Sequence, residues 1–180
     1  MKRLPLLTLL LLSFCSTRIS LGQNKGNPHF FKLLVTNEAD QVLLIEWDGA
    51  WELPGARYTT LQSLSVFLDT MAATRGITVD DKRLNALVTF HHDIRELPTM
   101  MFYFTASYSS GELQAPPWEE SIGWVSWEEA YQRIPYPEMV YLMKAIRKQP
   151  DKLLGGAFRI VYEWEKRTDF EILEPLYPLR

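Results

Sequence analysis

At 180 residues, 47% hydrophobic and 23% charged, the chain has the composition of one globular domain, which excludes wholesale disorder. A formal charge of −3 and a pI near 5.7 give no electrostatic basis for binding nucleic acid or an anionic membrane surface. The single cysteine, Cys15, excludes a disulfide framework and a zinc–thiolate site.

The N-terminus reads as an export signal. Lys2 and Arg3 precede an apolar run from Leu4 to Phe14, which is too short for a bilayer that takes ~20 apolar residues to cross. Small residues at Ser20 and Gly22 place a cut before Gln23. The chain therefore divides into a signal peptide (1–22), a domain (23–150) and a C-terminal extension (151–180). On this reading the mature protein is periplasmic or extracellular, free of the membrane after cleavage, and without a thiol.

Phe30 to Thr36 predicts a strand, Asn37 to Asp40 a turn, and Gln41 to Trp47 a buried strand closed by Asp48-Gly49. From Thr59 to Arg75 the period becomes helical, with Leu61, Leu64, Leu68, Met71 and Ala72 on one face. Thr59 or Thr60 is the expected cap, and Gly76 the left-handed residue ending the helix. β-Branched and aromatic residues predict strands over Leu84–His92 and Thr99–Tyr108, the second closed by Ser109-Ser110-Gly111. Ser126-Trp127-Glu128-Glu129 is a capping box, and Pro137 starts a last helix running to Gln149. Beyond Gly155-Gly156, the stretch Phe158 to Trp164 alternates with period two and reads as an added edge strand. Strands interleaved with helices argue for an α/β sandwich.

Two glycines twenty-one positions apart, Gly55 and Gly76, are the chemically informative feature. Trp51-Glu52-Leu53-Pro54 precedes the first, and aliphatic Ile77 follows the second. This stretch resembles the Nudix box, G-x5-E-x7-R-E-U-x-E-E-x-G-U with U aliphatic. The resemblance extends over about Phe30 to Gln149, taking in Glu119-Glu120 and Pro135-Tyr136-Pro137-Glu138. It implies an α/β/α sandwich around a mixed sheet. It also implies metal-assisted attack of water on a diphosphate, with helix glutamates holding Mg²⁺ or Mn²⁺.

The box positions here are Gly55, Leu61, Asp69, Thr70, Ala73, Thr74, Gly76 and Ile77. Leu61, Thr70, Ala73 and Thr74 stand where the family has glutamate, and Asp69 where it has arginine. Neutral hydroxyls are weak ligands for a hard cation, so no metal and no cofactor are expected at the box. Small neutral residues at 70, 73 and 74 instead read as a face packed on a neighbouring element. The expected function is that of an exported Nudix-fold protein with a degenerate, catalytically impaired box that binds a nucleotide-like or diphosphate-containing ligand, or acts as a scaffold.

Two alternatives stand beside this one. The first is an active pyrophosphatase recruiting Mg²⁺ through Glu52, Glu119 or Glu120. The second is a secreted protein–protein interaction module. Trp51, Gly55, Arg57 and Trp124 are the candidate ligand-binding residues, flanked by the aromatic rings of Trp47, Trp118 and Trp127. The resemblance also implies a possible homodimer, with Phe158–Trp164 as the segment of interest. His91 and His92 alternate across a strand, and Ser63 and Ser65 lack a nucleophile-elbow pattern, so neither pair points to a metal or hydrolase centre.

Overall fold

The computed structural model describes residues 29–164 and 166–179. The export segment and Cys15 lie outside them. The elements run β1 (His29–Thr36), β2 (Val42–Trp47), β3 (Ala50–Glu52), β4 (Gly55–Ala56), α1 (Leu64–Ala73), β5 (Ile77–His92), β6 (Thr99–Gly111), β7 (Ser121–Val125), α2 (Trp127–Arg133), α3 (Pro137–Lys148), β8 (Leu154–Glu163) and β9 (Lys166–Pro178).

These strands form one mixed sheet of order β3-β2-β1-β6-β5-β8-β9, with β4 on β1 and β7 on β2. β1 runs parallel to β6 and β5 parallel to β8, while β5–β6 and β8–β9 are antiparallel. Period-two alternation sends the side chains of each strand to two different cores. Phe31, Leu33 and Val35 of β1 pack with Phe67, Leu68, Met71 and Ala72 of α1. Leu34 instead joins the opposite core, with Leu142, Met143 and Ile146 of α3. The result is the expected α/β/α sandwich. Aromatic rings pack on both sides of the sheet: Phe31 stacks on Phe102 at 4.7 Å between centroids on the α1 side, and Phe158 packs against Phe90, Tyr141 and Phe170 on the other.

Several elements differ from the sequence reading. Helix α1 starts at Leu64 with Ser63 as its cap, whose side chain accepts from Val66 N at 3.3 Å, and not at Thr59 or Thr60. Leu61 consequently lies before the helix and is fully exposed rather than part of the apolar face. β5 begins at Ile77, well before Leu84, because register shifts at Thr78/Val79, Asp80/Arg83 and Leu84/Ala86 let a polar stretch stay paired with β6. β6 likewise runs through Ser109-Ser110 to Gly111. The predicted edge strand forms as β8, but it is interior: β9 pairs along it and buries Phe158 completely. β9, which the sequence reading missed, is the true edge, so Phe158, Arg159 and Ile160 are paired on both sides, by β5 and by β9.

Candidate functional site

The two glycines of the box have separate physical reasons. Gly76 sits at φ +77°, and a Cβ there would overlap the Glu112 carbonyl oxygen. Gly76→Ala is expected to cost about 2 kcal/mol or more in unfolding free energy, measurable by urea denaturation. At Gly55 a Cβ would fall 2.6 Å from the Phe30 ring and 2.9 Å from Lys32 Nζ. Glycine there lets β4 close over β1, with Leu33 N donating to Pro54 O at 2.9 Å.

Helix α1 buries Phe67, Leu68, Met71 and Ala72, which turns box positions Thr70 and Ala73 outward. Thr70 and Ala73 are exposed and Thr74 half-buried, so they do not form the packed face expected of them. The Thr70 hydroxyl donates to Val66 O at 2.8 Å and that of Thr74 to Thr70 O at 2.7 Å. Both are spent on their own helix. Asp69, at the motif arginine, pairs with Lys82 of β5.

The remaining candidate carboxylates do not converge. Glu52 pairs with Lys32 at 2.6 Å, in a contact where burial lowers the Lys32 ammonium and Glu52 opposes that shift. Glu119 is buried against Arg75, which reaches it through Nε at 3.2 Å and through Nη2. Arg75 also donates Nη1 to Met71 O at 2.7 Å. Burial pushes the Glu119 carboxyl above its ordinary value, with the Arg75 guanidinium pulling against it. Glu120 is exposed and accepts from Gly49 N at 3.1 Å. No group of three His, Cys, Asp or Glu able to hold a metal occurs among the described residues. Mg²⁺ and Mn²⁺ want several converging oxygen ligands, anionic for preference, and these residues do not fit them.

Two cavities lie near the box. One, of about 210 Å³, lies beside α1 and includes Gly55, Arg57, Thr70, Thr74, Arg75 and Trp118. The other, of about 290 Å³, lies on the opposite side of the sheet, under α3 and the β8–β9 hairpin. Phe30 and Lys32 of β1, Tyr103 of β6, Tyr136 and Glu138 at the start of α3, and Arg167 of β9 belong to its lining. Arg57 lines both.

The charges of the second cavity are layered. Deep within it Lys32 is matched by Glu52, and Arg167 is matched by buried Glu138 while lying 4.7 Å from the Tyr136 ring. Arg57 and Arg95, both exposed, form no ion pair among the described residues. The outer part is therefore basic and the inner part charge-balanced. His92 lies half-buried between them with Nδ1 2.9 Å from the Tyr162 hydroxyl.

Burial first, then the neighbouring Arg95 and Arg167 charges, push His92 down from 6.5 to about 4. The unfolded chain takes up this proton near 6.5 and the folded one only near 4, so the His92 contribution is intact above that window. Stability is expected to fall as pH drops through it. Chemical denaturation at neutral pH and at about pH 4 should show a smaller acid loss in His92→Gln.

Of the sequence-predicted ligand residues, Gly55 lines the cavity beside α1 and Arg57 lines both cavities. Trp51 sits beneath the Arg133 guanidinium at 4.9 Å, Trp124 packs edge-to-face on Tyr108 at 5.4 Å, and neither lines these cavities. Trp47 and Trp118 do, one in each, while Trp127 is core. Lys32, Arg75, Arg95, Tyr103, Glu138 and Arg167 escaped the sequence reading. Only Lys32 carried a signal, a lone charge inside an apolar strand.

No family model and no curated protein matches the chain. Solved structures do. A mutator MutT protein from Bacillus halodurans superposes with a TM-score of 0.67 at 21% identity, over 82% of this chain and 99% of that one. An ADP-ribose pyrophosphatase from Streptococcus suis gives 0.54 at 19%, over 71% and 98%. The NUDIX domain of Shewanella oneidensis NrtR, complexed with ADP ribose, gives 0.59 at 16%, over 70% and 90%. The chain shares its fold with these structures and has the Nudix hydrolase fold.

Proposed function

We propose that this protein is an exported Nudix relative that has lost metal-dependent hydrolysis and retains the binding of a nucleotide-like, diphosphate-containing ligand. One observation carries the reading: a cavity with a basic outer part shares Arg57 with a box cleft whose helix offers threonine and alanine in place of carboxylates. The first half favours an anionic ligand. The second removes the ligands that would hold the ion needed to cleave it. At about 290 Å³ the cavity is near the lower end of small-molecule sites, ~300–1,000 Å³, so it suits the head of such a ligand while its phosphates lie outward along Arg57. The NrtR domain in complex with ADP ribose makes that compound the natural first probe.

Calorimetric titration with ADP-ribose, with and without Mn²⁺, tests this. Saturable binding that Mn²⁺ does not strengthen, with no product released, is the expected result. Mn²⁺-dependent cleavage abolished by Glu119→Gln or Glu120→Gln would establish a working pyrophosphatase instead. Absence of any binding would leave the interaction-module reading. Export is tested separately, by mass spectrometry of the mature N-terminus, expected at Gln23.

A further inference from the structure

Among the described residues, four buried side-chain polar atoms have no hydrogen-bond partner: Thr99 Oγ1, Tyr103 OH, Glu138 Oε2 and Arg167 Nε. All four residues line the same 290 Å³ cavity. Buried polar groups are nearly always paired, so their concentration in one place marks a site built for something polar. Thr99 and Tyr103 come from β6, Glu138 from the first turn of α3, and Arg167 from β9. The C-terminal hairpin thus supplies part of the wall.

The unpaired atoms also define what they would accept. Arg167 Nε is a donor only, and a Glu138 carboxylate offers Oε2 as an acceptor only. The hydroxyls of Thr99 and Tyr103 serve as either. The complement is a hydrogen-bond acceptor placed beside a donor. Because Lys32–Glu52 and Arg167–Glu138 cancel in charge, the inner cavity offers no net attraction to a phosphate or carboxylate, and Glu138 would repel either. Rings of Phe30, Phe90 and Tyr136 supply flat apolar surface around it.

We propose that Arg167 of the C-terminal hairpin is a specificity-determining residue, which with Glu138, Tyr103 and Thr99 selects a neutral planar head group carrying an acceptor next to an N–H donor. A nucleobase or a ring carboxamide has that edge. The inference rests on the preceding reading, in which the ligand's phosphates lie toward Arg57.

The test is a comparison of affinities for ADP-ribose, UDP-glucose, reduced nicotinamide mononucleotide and ribose 5-phosphate. The first three carry an adenine, a uracil and a carboxamide head, and the last carries none. Wild type is expected to bind at least one of the first three roughly tenfold or more tighter than ribose 5-phosphate. Arg167→Lys keeps a cation opposite Glu138 but removes the Nε donor, and should bring that ratio close to one while leaving ribose 5-phosphate binding intact. Tyr103→Phe provides a second readout. It deletes an unpaired buried hydroxyl, so the free protein should melt at a higher temperature while the favoured ligand binds more weakly. A purely structural tyrosine would not give those opposite signs.

An unchanged ratio in both variants, or equal affinity of wild type for ribose 5-phosphate and the headed ligands, overturns this proposal alone. Binding of none of the four by wild type overturns it together with the proposed function.

Discussion

Replacing Arg75 by methionine is expected to lower the unfolding free energy by about 3–5 kcal/mol at neutral pH, because it strands a buried carboxylate. The side chains of Arg75 and Glu119 are only 5% and 2% exposed, and the guanidinium reaches the carboxylate through both Nε and Nη2. Water does not replace a partner at that depth. The corresponding fall in melting temperature is roughly 6–20 °C for a domain of this size. The deficit should also depend on pH in a definite direction. With Arg75 gone, only the smaller pull of the Lys32 charge opposes the burial that already raises Glu119, so its folded pKa lies further above the unfolded one. The penalty is then absent below the unfolded pKa and grows as pH rises toward the folded value. Denaturant melts of Arg75→Met across the acid range should therefore converge on wild type at low pH. A double replacement, Arg75→Met with Glu119→Leu, should recover most of the loss, since the stranded charge goes with its partner.

Placing carboxylates on α1 is expected to create a metal site where the described residues hold no group of three His, Cys, Asp or Glu. Thr70, Ala73 and Thr74 fall within 3–4 residues of one another on the helix and are at least partly exposed. Glutamates there would share a face open to solvent, and no buried contact would be displaced. A single pair of unit charges 4 Å apart near a protein surface is worth about 4 kcal/mol, so three carboxylates should raise Mn²⁺ affinity at least about 100-fold over wild type. Isothermal titration of Thr70→Glu/Ala73→Glu/Thr74→Glu with Mn²⁺ reads this directly. Equal, weak Mn²⁺ affinity in both proteins would mean that box composition is not what governs metal binding. Turnover need not accompany the new affinity, because Glu119 remains held by Arg75 and is not free to complete a catalytic centre.

Much of the scaffold was legible in the chain because local signals decide it. Strands β1 and β2 announce themselves as apolar runs bounded by turn residues, and Ser126 caps α2 through Glu129 N at 3.1 Å as its capping box implies. Gly76 lies past the end of α1, which closes at Ala73 with Thr74 as its cap, and glycine is required there by the Glu112 carbonyl pressed against it at a left-handed φ. The start of α1 was misjudged because Thr59, Thr60 and Ser63 are chemically equivalent caps, and the sequence does not say which of them the chain's path from β4 will use. β9 escaped notice because its period-two pattern breaks at Ile172-Leu173 and a proline, Pro175, sits inside it on an exposed edge.

The sequence by itself determined the Nudix frame and the absence of box glutamates, since both reside in residue identities at set spacing. Tertiary structure decided what became of every other charge. Arg75 meets Glu119 across 44 positions and Arg167 meets Glu138 across 29, and only the closed sheet brings them together. Pairing over such separations depends on strand order and register, which periodicity does not encode. That is why the carboxylates legible as candidate metal ligands proved to be partners of cations or of a backbone amide, and why the cavity under the C-terminal hairpin emerged only from the fold.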